Sequence, residues 1–181
     1  MRSIVKAATL CAALALPLGA ADAALKVGDK APTFDTRASL AGKDFDFNLA
    51  TMLKRGPVVL YFFPKVFTQG CTVEAHQFAE ATEEFNKLGA TVIGMSADPI
   101  EEVNKFSVSE CRNKFAVGVA TPAMIKNYDV ALIMAGLTSR TNRTSYVIAP
   151  NGKIVYAYTA MNPAGHVTGT MDAVKAWKAR K

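Results

Sequence analysis

Two apolar runs mark the centre of the predicted fold. Residues 58–63 are all apolar or aromatic and end at Pro64, which cannot donate to a sheet ladder, so they predict a buried strand. Thr91–Ser96 is a second such run and predicts a buried strand parallel to the first. Between them a helical pattern opens at Cys71 and should end at Gly89, where glycine suits a left-handed C-cap. The order strand, helix, strand predicts an α/β core.

Shorter patterns predict further elements on both sides of this core. They are an N-terminal arm broken by Pro32, a strand through Phe45 and Phe47, a helical turn over 48–53, a helix with Pro99 at its first position that extends toward Cys111, a strand over 115–119, a helix capped by Thr121-Pro122, a hairpin of Thr144–Ile148 with 153–158, and a last helix over 167–178. The apolar segment 130–137 has no clear periodicity. We expect it to be core, with an exposed apolar patch as the alternative.

The first 23 residues have the layout of a secretory signal peptide. Arg2 and Lys6 precede an uncharged, mostly apolar run, and Ala21-Asp22-Ala23 offers a cleavage site with small residues. We therefore predict a signal peptide over 1–23, one domain over 24–181, and a periplasmic or secreted protein without stable membrane association after cleavage. A retained membrane anchor is the alternative, although the apolar run is short for a transmembrane helix.

Composition fits one globular domain and argues against a nucleic-acid partner. Half of the 181 residues are hydrophobic, so a disordered chain is not expected. The formal net charge is +6, and it becomes +5 once Arg2, Lys6 and Asp22 leave with the signal peptide. Basic residues are scattered, with no stripe interleaved with aromatics. The remaining cysteines, Cys71 and Cys111, could form a structural or a catalytic disulfide in an oxidising compartment.

Cys71 lies where the first predicted strand passes into the helix. The unpaired N–H groups and the positive dipole end of a helix N-terminus stabilise a thiolate, so this position favours a nucleophile. Thr68, three residues earlier, can bring its hydroxyl beside the sulfur or cap the helix. The alternative interpretation is an inert cysteine packed at a helix start.

The pattern Pro64-x3-Thr68-x2-Cys71 closely resembles the active-site motif of the peroxiredoxins. The following Thr72-Val73-Glu74-Ala75 is similar to that of the peroxiredoxin Q subfamily, also called the bacterioferritin comigratory protein group. The resemblance extends from Gly28 to the last helix. It implies a thioredoxin-like α/β fold with a central mixed sheet flanked by helices. It also implies a thiol peroxidase that reduces hydrogen peroxide and organic hydroperoxides without metal, haem or flavin.

The resemblance assigns roles to individual residues. They are Cys71 as the peroxidatic cysteine, Arg143 as the cation that holds its thiolate, Thr68 as a donor to thiolate and substrate, and Pro64 as a shield from water. Glu74 is expected to orient Arg143, with an ordinary partner of the helix dipole as the alternative. Arg140 competes with Arg143 for its role, and we interpret Arg140 as a solvent-facing loop arginine.

The chain departs from many members of the subfamily at His76, where they have a second cysteine. A disulfide within the helix is therefore ruled out, and Cys111 takes the resolving role because other members use a cysteine in the following helix. His76 itself is interpreted as a surface residue. The resemblance then implies a Cys71–Cys111 disulfide that a thioredoxin-like or other dithiol donor reduces, in a monomer or weak homodimer.

Two other functions belong to different classes. In a redox-gated peroxide sensor, oxidation of Cys71 would recruit a partner and turnover would be incidental. A thioredoxin-type disulfide reductase is disfavoured because the sequence contains no C-x-x-C.

Overall fold

A computed structural model describes residues 25–133 and 139–180, and the predicted signal peptide lies outside them. In chain order the elements are β1 (Asp35–Leu40), β2 (Lys43–Asn48), α1 (Leu49–Leu53), β3 (Val58–Phe62), α2 (Gln69–Lys87), β4 (Thr91–Ser96), α3 (Ile100–Ser109), β5 (Ala116–Val119), α4 (Pro122–Asn127), β6 (Thr144–Ile148), β7 (Ile154–Thr159) and α5 (His166–Lys178). The strands form one sheet in the order β2-β1-β5-β4-β3-β6-β7. The predicted thioredoxin-like fold with a mixed sheet and flanking helices is confirmed.

The centre of the sheet brings distant parts of the chain together. β3 pairs in parallel with β4 and antiparallel with β6, and every residue of β3 is buried. In the second pairing Phe62 lies opposite Thr144, so the residue before β6 lies beside the end of β3. The sheet register therefore places Arg143 near the loop that leads from β3 into α2.

Each face of the sheet packs against its own apolar cluster. One cluster contains Leu60, Phe62 and Tyr146, and the other contains Phe63, Phe78 and Phe106. Cys71 and Cys111 both belong to the second cluster. The two thiols therefore lie in the same apolar layer, on the side of the sheet that α2 and α3 cover.

Several predicted boundaries need correction. The strand β1 was not predicted, because its sequence DTRASL mixes polar and apolar positions without clear alternation. Pro99 is the N-cap of α3 and not its first helical residue. α3 ends at Ser109, so Cys111 follows the helix and does not continue it. α2 starts at Gln69, two residues before Cys71, and ends as predicted before Gly89, whose φ is 79°.

The apolar segment 130–137 is only partly within the described residues. Val130 is buried, as expected for core, but Ile133 is 78% exposed, which contradicts that interpretation for this residue. Residues 134–137 lie outside the described part of the chain. Among the helices in the described ranges, none is long and apolar enough to cross a membrane.

Candidate active site

Cys71 and Arg143 form the centre of the site. Cys71 is the third residue of α2 and is 2% exposed, and Arg143 Nη2 donates to its Sγ at 3.4 Å. A Cβ on Gly70 would lie 3.2 Å from the same Nη2, so the absence of a side chain there lets the guanidinium approach. A buried sulfur beside a fixed positive charge at a helix N-terminus is the environment that favours a thiolate.

Arg143 is held in this place by contacts on two sides. Its Nε donates to Met161 O at 3.0 Å, and its Nη1 donates to Glu74 Oε2. Burial would lower the pKa of Arg143, but the charges of Glu74 and Cys71 outweigh this effect and raise it. The structure therefore brings together Cys71, Arg143 and Glu74, with Glu74 in the orienting position that the sequence suggested.

A buried polar chain continues behind Glu74 through a histidine that sequence reasoning missed. His166 Nδ1 lies 2.8 Å from Ser145 Oγ and 3.6 Å from Glu74 Oε1, and its Nε2 lies 2.9 Å from Ala160 O. A carbonyl only accepts, so Nε2 carries the proton. Burial lowers the pKa of His166 to about 4, so the ring is neutral near pH 7. Nδ1 then accepts from Ser145 and has no proton for Glu74.

Glu74 is consequently short of donors for one of its oxygens. Its Oε1 is buried without a hydrogen-bond partner among the described residues. Burial raises the pKa of Glu74 to about 8, although the neighbouring Arg143 opposes the shift. Glu74 therefore depends on Arg143 as its side-chain hydrogen-bond partner among the described residues.

Thr68 and Pro64 lie at the entrance of α2. Thr68 is the N-cap residue, but its side chain makes no cap bond, and its hydroxyl donates to Lys65 O at 3.1 Å. Of the two alternatives for the Thr68 side chain, the helix cap is therefore not formed. Thr68 is exposed and Pro64 is half-buried, so both border the solvent-facing side of the site.

Arg140 is not the solvent-facing loop arginine that we predicted. Its Nη1 donates to Pro64 O at 3.3 Å and to Asp98 Oδ1 at 3.1 Å. Asp98 Oδ2 in turn accepts from the backbone N–H of Val66 at 2.9 Å. Arg140 therefore contacts the loop before Cys71 and leaves the place beside the sulfur to Arg143.

Cys111 has no such polar surroundings. It is fully buried and, like Cys71, is a free thiol. Burial raises the pKa of the Cys111 thiol well above its ordinary value, and the nearby Glu110 adds to this shift. Glu110 also pairs with His76 of α2 at 2.9 Å, so His76 contacts the segment beside Cys111 and is not a free surface residue.

The arrangement suits thiol chemistry. Within 25–133 and 139–180 no group of three or more His, Cys, Asp and Glu side chains could hold a metal ion.

Asp98 and His166 were missed from the sequence because a lone Asp before a proline and a lone His at a helix start are common in other roles. The signal that could have found His166 is its place beside Gly165, where the chain turns back toward the sheet.

Known proteins are similar to this chain in sequence and in fold. Peroxiredoxin Bcp of Xanthomonas campestris pv. campestris is 29% identical over 152 residues, covering 81% of this chain and 92% of that protein. Peroxidoxin BcpB from Mycobacterium tuberculosis superposes with a TM-score of 0.75 at 26% identity, covering 84% of this chain and 97% of that one.

A mutant of PrxQ from Xylella fastidiosa has the same fold, with a TM-score of 0.74 at 24% identity and coverage of 84% and 97% of the two chains. The family model described as AhpC/TSA matches residues 27–157, which include Cys71, Arg143 and both strands that bring them together. The chain therefore belongs to the AhpC/TSA family of peroxiredoxins.

Proposed function

We propose that Cys71 is the peroxidatic cysteine and Cys111 the resolving cysteine of this peroxiredoxin. Thiol-dependent peroxidase activity itself follows from membership of the family. The observation that carries the assignment is the Arg143 guanidinium, 3.4 Å from a Cys71 sulfur that is almost fully buried. Among the described residues no side chain donates a hydrogen bond to the Cys111 sulfur, and burial raises the pKa of its thiol, which suits the second reactant better than the first nucleophile.

In the first step the Cys71 thiolate attacks one oxygen of a hydrogen peroxide or organic hydroperoxide. A sulfur–oxygen bond forms, the O–O bond breaks, and the other oxygen leaves with a proton as water or alcohol. The sulfur is oxidised to a sulfenic acid by the two electrons that reduce the peroxide. Arg143 stabilises the thiolate and the charge that develops along the O–O bond. We assign Thr68 as a further donor to the peroxide, which requires its hydroxyl to turn away from Lys65 O. We assign Pro64 as the residue that limits access of water to the site.

In the second step Cys111 attacks the Cys71 sulfenic acid. A disulfide forms, and the sulfenic oxygen leaves with a proton as water. Both cysteines are free thiols buried in packed segments, so we propose that these segments open locally to let the two sulfur atoms meet. A thioredoxin-like or other dithiol donor then reduces the disulfide by thiol exchange.

The predicted signal peptide extends this proposal to the cell envelope. We propose that residues 1–23 direct export and are removed, so that the domain acts in the periplasm or outside the cell as a monomer or weak homodimer. Fractionation of a bacterium that expresses the whole chain, followed by intact-mass measurement, tests this. A soluble envelope protein beginning after Ala23 supports it, and a full-length membrane-bound chain supports a retained anchor.

The assay for the peroxidase assignment measures peroxide consumption by the wild type and Cys71→Ser, each with and without a thioredoxin–thioredoxin reductase system. We expect sustained, donor-dependent consumption by the wild type and only background consumption by Cys71→Ser. Circular dichroism of the variant controls for folding. Donor-linked turnover by Cys71→Ser would overturn the assignment. Oxidation of wild-type Cys71 without sustained turnover with any dithiol donor would favour the redox-gated sensor.

A further inference from the structure

The loop between β3 and α2 is held from outside by side chains of two other segments. Arg140 Nη1 donates to Pro64 O at 3.3 Å, and Asp98 Oδ2 accepts from Val66 N–H at 2.9 Å. The two side chains are joined to each other by Arg140 Nη1 and Asp98 Oδ1 at 3.1 Å. Two backbone groups of the loop are thus tied to one ion pair.

This ion pair is largely buried and is not an ordinary surface contact. The Asp98 side chain is only 6% exposed and the Arg140 side chain is 33% exposed. A carboxylate at this depth depends on its partners, so removal of one partner leaves a poorly compensated charge. The pair also joins three separate segments: the loop, the connection from β4 to α3, and the chain before β6.

The held loop contains a residue in an unfavourable backbone conformation. Phe67 has φ 60°, a value that bulky residues rarely adopt. Such strain persists only where surrounding contacts over-determine the backbone. Val66, fixed by Asp98, directly precedes Phe67, and the Phe67 ring packs edge-on against Phe106 of α3, 5.4 Å between centroids. Release of the ion pair would therefore favour opening of the loop.

We propose that Asp98 and Arg140 form a clamp of positioning residues that holds the loop closed and so keeps Cys71 beneath Arg143. This inference rests on the proposed roles of Cys71 and Cys111. The clamp favours the peroxide reaction, because that step needs the closed site. It opposes disulfide formation, because the sulfenic acid must leave its buried position to meet Cys111. The slower the loop opens, the longer the sulfenic acid is exposed to a second peroxide, which oxidises it to sulfinic acid.

The test uses Arg140→Ala, the conservative Arg140→Lys, and Arg37→Ala as the matched control. Arg37 pairs with Asp44 and Asp46 on the β1–β2 hairpin, so the control also removes an arginine ion pair but leaves the loop untouched. The first measurement is hydrogen exchange of the reduced proteins, resolved to peptides. We expect Arg140→Ala to speed exchange across residues 64–72 about tenfold, with α5 unchanged and Arg140→Lys intermediate.

The second measurement is the product of a peroxide pulse, quantified by intact mass as disulfide and sulfinic acid. We expect Arg140→Ala to react several-fold more slowly in the first step but to convert sulfenic acid to disulfide several-fold faster, so that the two steps change in opposite directions and half over-oxidation needs about tenfold more peroxide. A merely structural role would lower stability in urea without this reversal.

The outcomes separate the clamp from the proposed function. Loop exchange and over-oxidation in Arg140→Ala equal to those of Arg37→Ala would overturn the clamp, whether or not the wild type is a peroxidase. Faster exchange without a change in the ratio of sulfinic acid to disulfide would overturn its part in the reaction. If the wild type forms no disulfide, the exchange data still decide whether the loop is held, and the cysteine assignment fails by itself. Should Arg140→Ala not fold, the same measurements apply to Arg140→Gln.

Discussion

Cys71 and Cys111 are two buried thiols in one apolar layer, yet their surroundings differ in kind. Cys71 faces Arg143, which is itself tied to Glu74, and it lies in the first turn of α2. Cys111 follows the end of α3, and burial raises the pKa of its thiol well above the ordinary value. The comparison shows that two equally buried sulfur atoms can have different electrostatic surroundings. A fixed cation beside the sulfur is the feature that supports the proposed role of Cys71 as the nucleophile, whereas burial favours the neutral thiol at Cys111.

The largest difference between the two cysteines is expected on substitution by serine. Cys111→Ser should retain a fast first reaction with peroxide and then stop with Cys71 as sulfenic acid, because the second reactant is missing. Loss of sustained turnover should be nearly complete with a thioredoxin-like donor. Rapid-quench intact mass measures the first oxidation, and the coupled assay measures turnover. Normal turnover of Cys111→Ser would mean a one-cysteine mechanism, and failure to fold would favour a structural role.

The next largest effect should come from Arg143→Gln. This change removes the cation and the donor at Cys71 and leaves a shorter, neutral amide. We expect the peroxide step to slow by about 10²- to 10³-fold, in line with the loss of one preorganised donor to developing charge. Competition of the variant with catalase for a limited amount of peroxide measures the rate. A variant that reacts as fast as the wild type would return the role to Arg140 or to neither arginine.

The polar chain behind Cys71 should also give the fold a pH dependence. The pKa of His166 is lowered from 6.5 to about 4 in the folded state. As the pH falls from about 6.5 to 4, His166 is therefore protonated in the unfolded chain but still neutral in the folded chain. The contribution of His166 to the free energy of unfolding is therefore complete above pH 6.5. It decreases by about 2–3 kcal/mol as the pH falls to about 4.

The matched variant for this effect is His166→Asn, which keeps polar atoms but does not titrate. Urea unfolding of wild type and variant at pH 7, 6, 5 and 4 measures the difference between their free energies of unfolding. We expect this difference to shrink steadily toward acid. A difference that is constant with pH would mean that His166 is protonated equally in the folded and unfolded states.

The smallest effect concerns the contact between Glu110 and His76, beside Cys111. Glu110→Gln removes the charge that pairs with His76 and should loosen the segment by a few tenths of a kcal/mol, as is usual for partly exposed pairs. Disulfide formation after a peroxide pulse should then quicken by roughly twofold. Glu83→Gln is the control, because Glu83 pairs with Lys87 on the exposed part of α2. Equal rates for both variants would show that the His76 contact does not restrain Cys111.

The parts that could be predicted from sequence are those where a local pattern has one physical solution. Thr91–Ser96 has an apolar centre and forms a strand with the predicted bounds. The resemblance of the Pro64, Thr68 and Cys71 spacing to a family motif predicted a site with Arg143 beside the sulfur, and the structure has these two residues in contact. Each of these signals lies within a few consecutive residues.

The parts that could not be predicted depend on partners distant in sequence. Arg140 acts on Pro64 and Asp98, 76 and 42 residues away, and no local pattern distinguishes such an arginine from a solvated one. The pKa of His166 is lowered by burial of the ring in the folded chain, with the distant-in-sequence Arg143 as a smaller cause. β1 was missed because its polar residues pair across the sheet, as Arg37 does with Asp44 and Asp46, and the sequence does not display that pairing.

The pairing of β3 with β6 has a consequence for the time at which the protein becomes reactive. Arg143 is synthesised 72 residues after Cys71, and it reaches the sulfur only when β6 has joined the sheet in the register that sets Phe62 opposite Thr144. A slip of one residue would turn every side chain of β6 to the other face. In the growing chain Cys71 therefore has no Arg143 beside it, and the proposed nucleophile gains its cation only when the last strands have joined the sheet.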